Sequence, residues 1–593
     1  DILSIQIPPL FYIRNLLFIF ISMAGGLIQL SAYGAQNQYL NGNPQMTFFK
    51  AVYRRYTNFS MDAIRIDFEG TSELSIDLDV QLRCKIPRSG DLISKMYFVI
   101  NLPDIYSGYD PETDIDYKFW WISSIGTNMI KKTNISIGGN KISEMYGEWI
   151  EIWHEIFGDH ATKSHYDHMT GNVADVFMPQ YNGINGGTYP TSTLSPYLHT
   201  NPQDATKVTI FTANPYLQPP SIPGRTLYVP LPFWFTTNPG LALPLISLQY
   251  HEVHIEIELR KITELYTIIE TKNNIGSAVR GQRRRPLSSE SHHHIGNFIT
   301  GNKSEDFVRN TDLGDGNTNI QGWNMDAHLL VNYIYLDKEE RTRFSNNSHE
   351  YLIEQVNLKE FMGIVGTKTL NLELEHPVKY LVWFGQRDDI VTEVNAHNNY
   401  TNWRHEFIPP GSDSYLEFVG ADNQDVLFYE LAETDGSPII NQLSPTNEFG
   451  SINYTEKDRA ELPTKFNYHF YKENIIESTR LLFNGIERYA SMEKMYFEHV
   501  QPYQHDVKLD KKGVHMYSFS LDPTKYQPSG ACNMSRIKNV QLEVETVDVY
   551  SVENNTSSNE TLQHEYKFNI NVYAVNYNIL RIMSGMAGLS FSS

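Results

Sequence analysis

Leu74-Ser75-Ile76-Asp77-Leu78-Asp79-Val80-Gln81-Leu82-Arg83-Cys84-Lys85-Ile86 places an apolar residue at every second position. Successive side chains on a strand point to opposite faces, so a period of two predicts a β-strand with one face on a core. The same period runs through Val253, Ile255, Ile257 and Leu259, which alternate with His254, Glu256 and Glu258. It returns at Leu370, Leu372 and Leu374, and again at Val540, Leu542 and Val544. One apolar and one polar face per strand points to antiparallel sheets. Helical periodicity is rarer. Met145, Trp149, Ile152, Trp153 and Ile156 share one face of a predicted helix that Gly158 ends, and Asp337 to Phe344 predicts a short charged helix.

Working outward from these strands, an internal repeat emerges. Val331-Asn332-Tyr333-Ile334-Tyr335-Leu336 parallels Val575-Asn576-Tyr577-Asn578-Ile579-Leu580. The alternating strand before Lys95-Met96-Tyr97-Phe98-Val99-Ile100 parallels Leu370–Leu374 before Lys379-Tyr380-Leu381-Val382-Trp383-Phe384. Between them, Ile135-Ser136-Ile137-Gly138-Gly139 matches Leu481-Leu482-Phe483-Asn484-Gly485. Three correspondences in one order predict a duplicated module. Many short strands separated by Gly, Pro and Asn clusters give each copy the pattern of a sandwich or jelly roll. If the Val-Asn-Tyr strand closes each copy, the first ends near Phe344 and the second begins near Ser345.

Composition agrees with a large β protein. At 593 residues the chain is too long for one ordinary core. Its aromatic content of 13% suits pleated, half-buried surfaces. A net charge of −21 disfavours a general grip on nucleic-acid phosphates. Two cysteines, Cys84 and Cys532, exclude a disulfide framework and suit a reducing compartment.

Between Leu259 and Val331 the first copy carries an insert, about residues 261–325. It includes Arg280, Arg283-Arg284-Arg285, His292-His293-His294 and the Gly- and Asn-rich Asp312–Gly322. Few large apolar residues occur there, so the insert is expected to be an exposed loop whose removal spares the fold. A second polar run spans Met178 to Pro223. Pro230–Phe235 and Leu241–Leu248 are apolar enough for either a core or a contact between subunits.

The richest cluster of potential metal ligands is His154, Asp159, His160, His165, Asp167 and His168. Its spacing matches no zinc signature, so it reads as a helix end and a polar loop. His292–His294 reads as surface, and Arg283–Arg285 as solvated loop charge. Gly363-Ile364-Val365-Gly366-Thr367-Lys368-Thr369 lacks the glycine spacing of a phosphate-binding loop and runs into a strand where that loop needs a helix. Cys84 sits at an inward strand position, and Cys532 is expected to pack. Asn-x-Ser/Thr sequons recur at Asn58, Asn134, Asn302, Asn346, Asn399, Asn453, Asn533, Asn554, Asn555 and Asn559 as expected of an Asn-rich chain. No catalytic, cofactor-binding or metal-binding residue is assigned.

The stretch from Leu482 to Arg536 carries a family likeness. It reads Leu482-Phe483-Asn484-Gly485-Ile486-Glu487-Arg488, then Tyr496-Phe497, Gln501-Pro502-Tyr503, Tyr517-Ser518-Phe519, Gln527-Pro528-Ser529-Gly530 and Asn533-Met534-Ser535-Arg536. The first half adds Gly25-Gly26-Leu27-Ile28-Gln29-Leu30, Gly42-Asn43-Pro44-Gln45, Tyr53-Arg54-Arg55, Val229–Phe235 and Pro239–Pro244, and the chain closes on Ser584-Gly585-Met586-Ala587-Gly588. Together these resemble the major capsid proteins of nucleocytoplasmic large DNA viruses, in particular mimivirus-like members. The resemblance implies a mostly β fold of two tandem eight-stranded antiparallel jelly rolls with short helices and long loops. It implies a non-enzymatic structural protein of the virion, assembled in the host cytoplasm, whose homotrimers form pseudo-hexagonal capsomers of an icosahedral capsid. Implied partners are neighbouring capsomers and minor capsid and penton proteins, with an inner membrane nearby and surface glycans. The other reading is a glycan-binding surface protein or an enzyme on a β-sandwich scaffold, which would need a concave site with converging polar groups. On this basis residues 1–22 are expected to be an upstream extension outside the mature subunit, residues 23–344 the first jelly roll with an N-terminal arm, and residues 345–593 the second.

Overall fold

The computed structural model describes residues 25–70, 73–105, 108–110, 115–158, 160–177, 197–201, 204–211, 222–272, 284–290, 293–299, 325–402, 474–549, 552–554, 562–564 and 566–591. The expectations for residues 1–22, Asp159, Arg280, Arg283, His292 and Asp312–Gly322 fall outside these. The chain divides into a unit up to Asn58 and a unit from Phe59 onward. In the first, helices Gly25–Ser31 and Asn37–Asn41 are joined and followed by irregular backbone. Among its described residues the large apolar side chains from Leu27 to Tyr56 are exposed, Phe49 at 98%.

The second unit contains two sandwiches with matching topology. In the first half the strands of the sandwich are β1 (Phe59–Asp67), β2 (Val80–Lys85), β3 (Leu92–Leu102), β4 (Ile130–Ile137), β5 (Asn140–Tyr146), β6 (Arg225–Pro230), β7 (Val253–Leu259) and β8 (His328–Leu336), beside shorter strands in the loops. The second half has β9 (His349–Ile364), β10 (Thr367–Leu372), β11 (Pro377–Arg387), β12 (Ile476–Phe483), β13 (Ile486–Glu493), β14 (Val514–Ser518), β15 (Val540–Thr546) and β16 (Phe568–Met583). One sheet of the first half has the order β1-β8-β3-β6, the other β2-β7-β4-β5. In the second half the orders are β9-β16-β11-β14 and β10-β15-β12-β13. Adding eight to each strand of the first half gives the second, and all these pairings are antiparallel. Short helices lie between strands: α1 (Gly147–Phe157), α2 (His160–Thr170) and α3 (Lys338–Asn346).

Local chemistry explains the shared turns. The hairpin from β4 to β5 turns at Gly138 and Gly139, with φ of 60° and 84°. Its counterpart from β12 to β13 turns at Asn484 and Gly485, with φ of 52° and 81°. Two successive positive φ values match the twist of the flanking strands, and Gly and Asn reach them at least cost. Asp337 caps α3 by accepting from the Glu340 N–H at 3.0 Å, which ends the preceding strand and starts the helix.

Within the first sandwich, Leu82 and Cys84 of β2 and Val253, Ile255, Ile257 and Leu259 of β7 share a core with Phe98, Ile100, Leu329 and Val331 from the opposing sheet. In the second, Leu370, Leu372, Leu542 and Val544 meet Leu381, Trp383, Val572 and Ala574. Each such side chain contributes about 1.5–3 kcal/mol by leaving water. Pro230–Phe235 and Leu241–Leu248 resolve as core: Leu231, Phe233, Phe235, Leu243 and Leu248 are all buried. Gly363–Thr369 is the turn from β9 to β10, with strand on both sides.

Three expectations need correction. The alternating run at 74–86 is not one strand, because β2 begins at Val80 and Leu78 is 71% exposed. The Ser75 hydroxyl accepts the Leu78 N–H at 3.2 Å, a local bond that competes with the sheet ladder. Met145 belongs to β5, so the helix face is Trp149, Ile152 and Ile156. The insert at 261–325 is not wholly a surface loop. Strand Tyr266–Lys272 pairs with Ile115–Trp121, and Leu265, Tyr266, Ile268, His293, Ile295, Phe298 and Met325 are buried. Phe298 packs 5.2 Å from the Phe119 ring, and the buried His293 carbonyl accepts the Tyr266 hydroxyl at 2.6 Å. Deleting Ser277–Asn317 therefore removes core, and loss of a Phe such as Phe298 alone costs about 3–5 kcal/mol. The deleted chain is expected to unfold at a clearly lower temperature than the parent in a thermal scan, and an unchanged midpoint would contradict this packing.

Candidate functional site at the seam between the two sandwiches

Strands β11 and β16 lack the alternation of β7 and β15, since Val378 through Arg387 and Ile570 through Asn578 are all buried. Their two faces serve different cores. Leu381, Trp383, Ile570, Val572 and Ala574 point into the second sandwich, whereas Tyr380, Val382, Phe384, Tyr573 and Val575 join the core of the first. From the first sandwich α1 supplies the matching surface. Trp149 stacks on Tyr380 at 6.4 Å and meets Tyr573 at 5.2 Å, and Tyr146 meets Tyr573 edge-on at 6.1 Å. Aromatic pairs in this range add about 0.5–1.5 kcal/mol each beyond their buried area.

Polar groups close the seam around this aromatic patch. Glu148 accepts from Asn571 Nδ2 and from the Tyr573 hydroxyl, each at 3.3 Å, and lies 3.6 Å from the Arg260 guanidinium. Burial pushes the Glu148 carboxyl above the usual carboxylate range, with Arg260 opposing. Lys511 pairs with Glu151, Gln355 Nε2 donates to the Ile142 carbonyl at 2.6 Å, and Asn395 Nδ2 donates to the Thr263 and Tyr266 carbonyls at 2.8 Å. At the far end, the Ala587 N–H donates to His251 Nδ1 at 3.1 Å. Breaking one partner of a buried charged pair costs several kcal/mol, so these contacts fix the relative orientation of the sandwiches.

The second sandwich also carries an acid-sensitive group. His515 is buried, stacked on Trp383 at 5.9 Å and 3.9 Å from Glu498. Burial lowers its pKa from 6.5 to about 4, with Glu498 opposing. The unfolded chain therefore takes up the proton more readily. The contribution of this group to stability is complete above pH 6.5 and is lost as pH falls toward about 4. His515→Gln is expected to flatten the decline of the urea midpoint between pH 6.5 and 4, and an unchanged slope would show that His515 does not titrate there.

The sequence candidates do not converge. His154 stacks on Tyr166 at 3.6 Å, and burial lowers its pKa. His165 and His168 are exposed, and Asp167 accepts from Asn172 Nδ2 at 3.1 Å. Among the described residues no group of three or more His, Cys, Asp or Glu is placed to hold a metal ion. His293, expected at the surface, is buried, with its Nδ1 accepting the Leu287 N–H at 3.2 Å and Nε2 3.2 Å from Arg284. Arg285 pairs with Glu264 at 3.2 Å, so it is held and not merely solvated. Burial pushes the Cys84 thiol up to about 12, which makes it inert core, and Cys532 packs beside the second core. The sequon at Asn399 is buried, whereas Asn346 is exposed at the end of α3. The seam residues were missed as a site. Their signal was the near-continuous apolar and aromatic run of Val572–Tyr577, which alternation alone does not explain.

Two eight-stranded jelly rolls in tandem define a double jelly-roll protein. Family models for the major capsid protein N-terminus and for the large eukaryotic DNA virus major capsid protein match residues 47–337 and 340–588. The chain is 34% identical to the major capsid protein of Phaeocystis pouchetii virus, over 96% of this chain and 100% of that one. It is 29% identical to probable capsid protein 4 of Acanthamoeba polyphaga mimivirus, with the same coverage of both. Among solved structures, PBCV-1 VP54 superposes with a TM-score of 0.56 at 25% identity, covering 92% of this chain and 100% of that one. The chain belongs to the major capsid protein family of the large eukaryotic DNA viruses. It is a structural protein of the virion capsid.

Proposed function

We propose that three copies of this chain form a capsomer with a pseudo-hexagonal outline, and that such capsomers tile an icosahedral shell. The first jelly roll lies within residues 23–344 and the second within 345–593, joined through α3. The observation that carries the reading is the eight-for-eight match of the strands, held in fixed relation by the seam. Two similar modules per chain give a trimer six similar corners, the outline that a hexagonal lattice needs. Neighbouring capsomers, minor capsid and penton proteins are the partners in this reading, with an inner membrane close by and glycans on exposed loops. Assembly in the host cytoplasm is supported by the two free thiols Cys84 and Cys532. The chain has no catalytic role in this reading, and its work is geometric.

Mass measurement of the purified chain tests the proposal, together with electron microscopy of the concentrated protein. A trimer and hexagonal arrays are expected. A stable monomer at micromolar concentration, or a turnover abolished by a single His or Cys substitution, would overturn it.

A further inference from the structure

A cavity of about 260 Å³ opens within the seam, walled by both sandwiches. Trp149, Trp153 and Trp234 line it from the first, and Glu354, Lys379 and Tyr526 from the second. Of its lining, Trp149 is buried and Tyr526 is 47% exposed, so the cavity runs from buried wall to a solvent-facing rim.

Size, wall and charge together limit what it takes. A cavity of about 150 Å³ admits benzene, so this one holds two fused rings. Indole and phenol rings receive a flat aromatic body by offset or edge contacts. Lys379 Nζ donates to Glu354 Oε1 at 2.6 Å, and its side chain is 1% exposed against 33% for Glu354. The buried lysine is thus spent on the carboxylate, and Lys525, 70% exposed at the rim, is paired with Asp522 at 3.1 Å, so neither cation is left over for a ligand. A charged ligand head would lose water without finding a free opposite charge, which is unfavourable. A neutral donor meets a carboxylate still able to accept a bond.

We propose that the cavity between the two jelly rolls is a binding site for a neutral aromatic molecule of about two fused rings carrying one hydroxyl or N–H donor. Because its walls come from both sandwiches, the ligand clamps the seam and raises stability by mass action.

The test titrates the full chain with 2-naphthol, 2-naphthoate and 2-naphthylmethylammonium, read by calorimetry and thermal unfolding. Saturable binding of 2-naphthol with a rise in melting temperature is expected, with both charged analogues at least about tenfold weaker, a discrimination of about 1.4 kcal/mol. Val356→Phe, which puts a ring into the wall, is expected to abolish binding. Tyr526→Ala removes an exposed rim residue without threatening the fold, and is expected to weaken 2-naphthol about tenfold even if the first variant does not fold. Absence of saturable binding, equal binding of the charged analogues, or indifference to Tyr526→Ala would overturn the proposal.

Discussion

Ile257→Asp is expected to abolish soluble, folded protein, whereas Leu78→Asp leaves yield and circular dichroism unchanged. Ile257 is fully buried at the centre of β7, between Leu82 of β2 and Thr133 of β4. A carboxylate there has no partner, and burying an unpaired charge costs several kcal/mol against a total stability of about 5–15 kcal/mol. Leu78 stands in a bend with its side chain in solvent, where substitutions stay within about 0.5 kcal/mol. On the period of two alone both residues would belong to buried rows. Equal outcomes for the two variants would show that the bend at Ser75–Leu78 is wrong.

Trp149→Ala is expected to cost about 3–5 kcal/mol, the usual range for removing a buried large aromatic. The loss falls between the sandwiches, because Trp149 is the ring that meets both Tyr380 and Tyr573. Thermal unfolding should then separate into two transitions, and limited proteolysis should release fragments near residues 338–346, the segment joining the sandwiches. Trp149→Phe retains a ring and should recover part of the loss. A single transition at the parent temperature in the alanine variant would mean that the polar contacts of Glu148, Glu151 and Asn395 hold the seam without it.

The sandwiches were legible in the sequence wherever a strand has one wet face. Val253–Leu259, Leu370–Leu372 and Val540–Val544 alternate in sequence and in burial. The repeat was legible through its turns and its Val-Asn-Tyr strands. What escaped was set by particular local or distant partners. The Ser75 hydroxyl interrupts a perfect alternation, and no periodicity reveals a side-chain bond to the backbone. The insert hid its core because Leu265, Tyr266 and Ile268 are separated from Ile295 and Phe298 by a long polar stretch with the Arg and His runs, and the strand at Tyr266–Lys272 finds its partner only in the distant Ile115–Trp121. The seam was hidden for a related reason: a helix face at Trp149 shows that it is buried, not against which module.

The double burial of β16 makes the two halves of the chain unequal in what they tolerate. From His328 to Tyr333 of β8, buried residues alternate with half-buried ones, so every second position there is open to exchange. Its counterpart β16 has no open position from Ile570 through Asn578. A scan of all substitutions would show a two-residue rhythm along the first strand and an unbroken block of intolerance along the second. Once one copy had become the wall against which the other packs, the halves of the duplication ceased to be interchangeable. Sequence drift is then free to run further in the leading copy's strand than in the trailing one's.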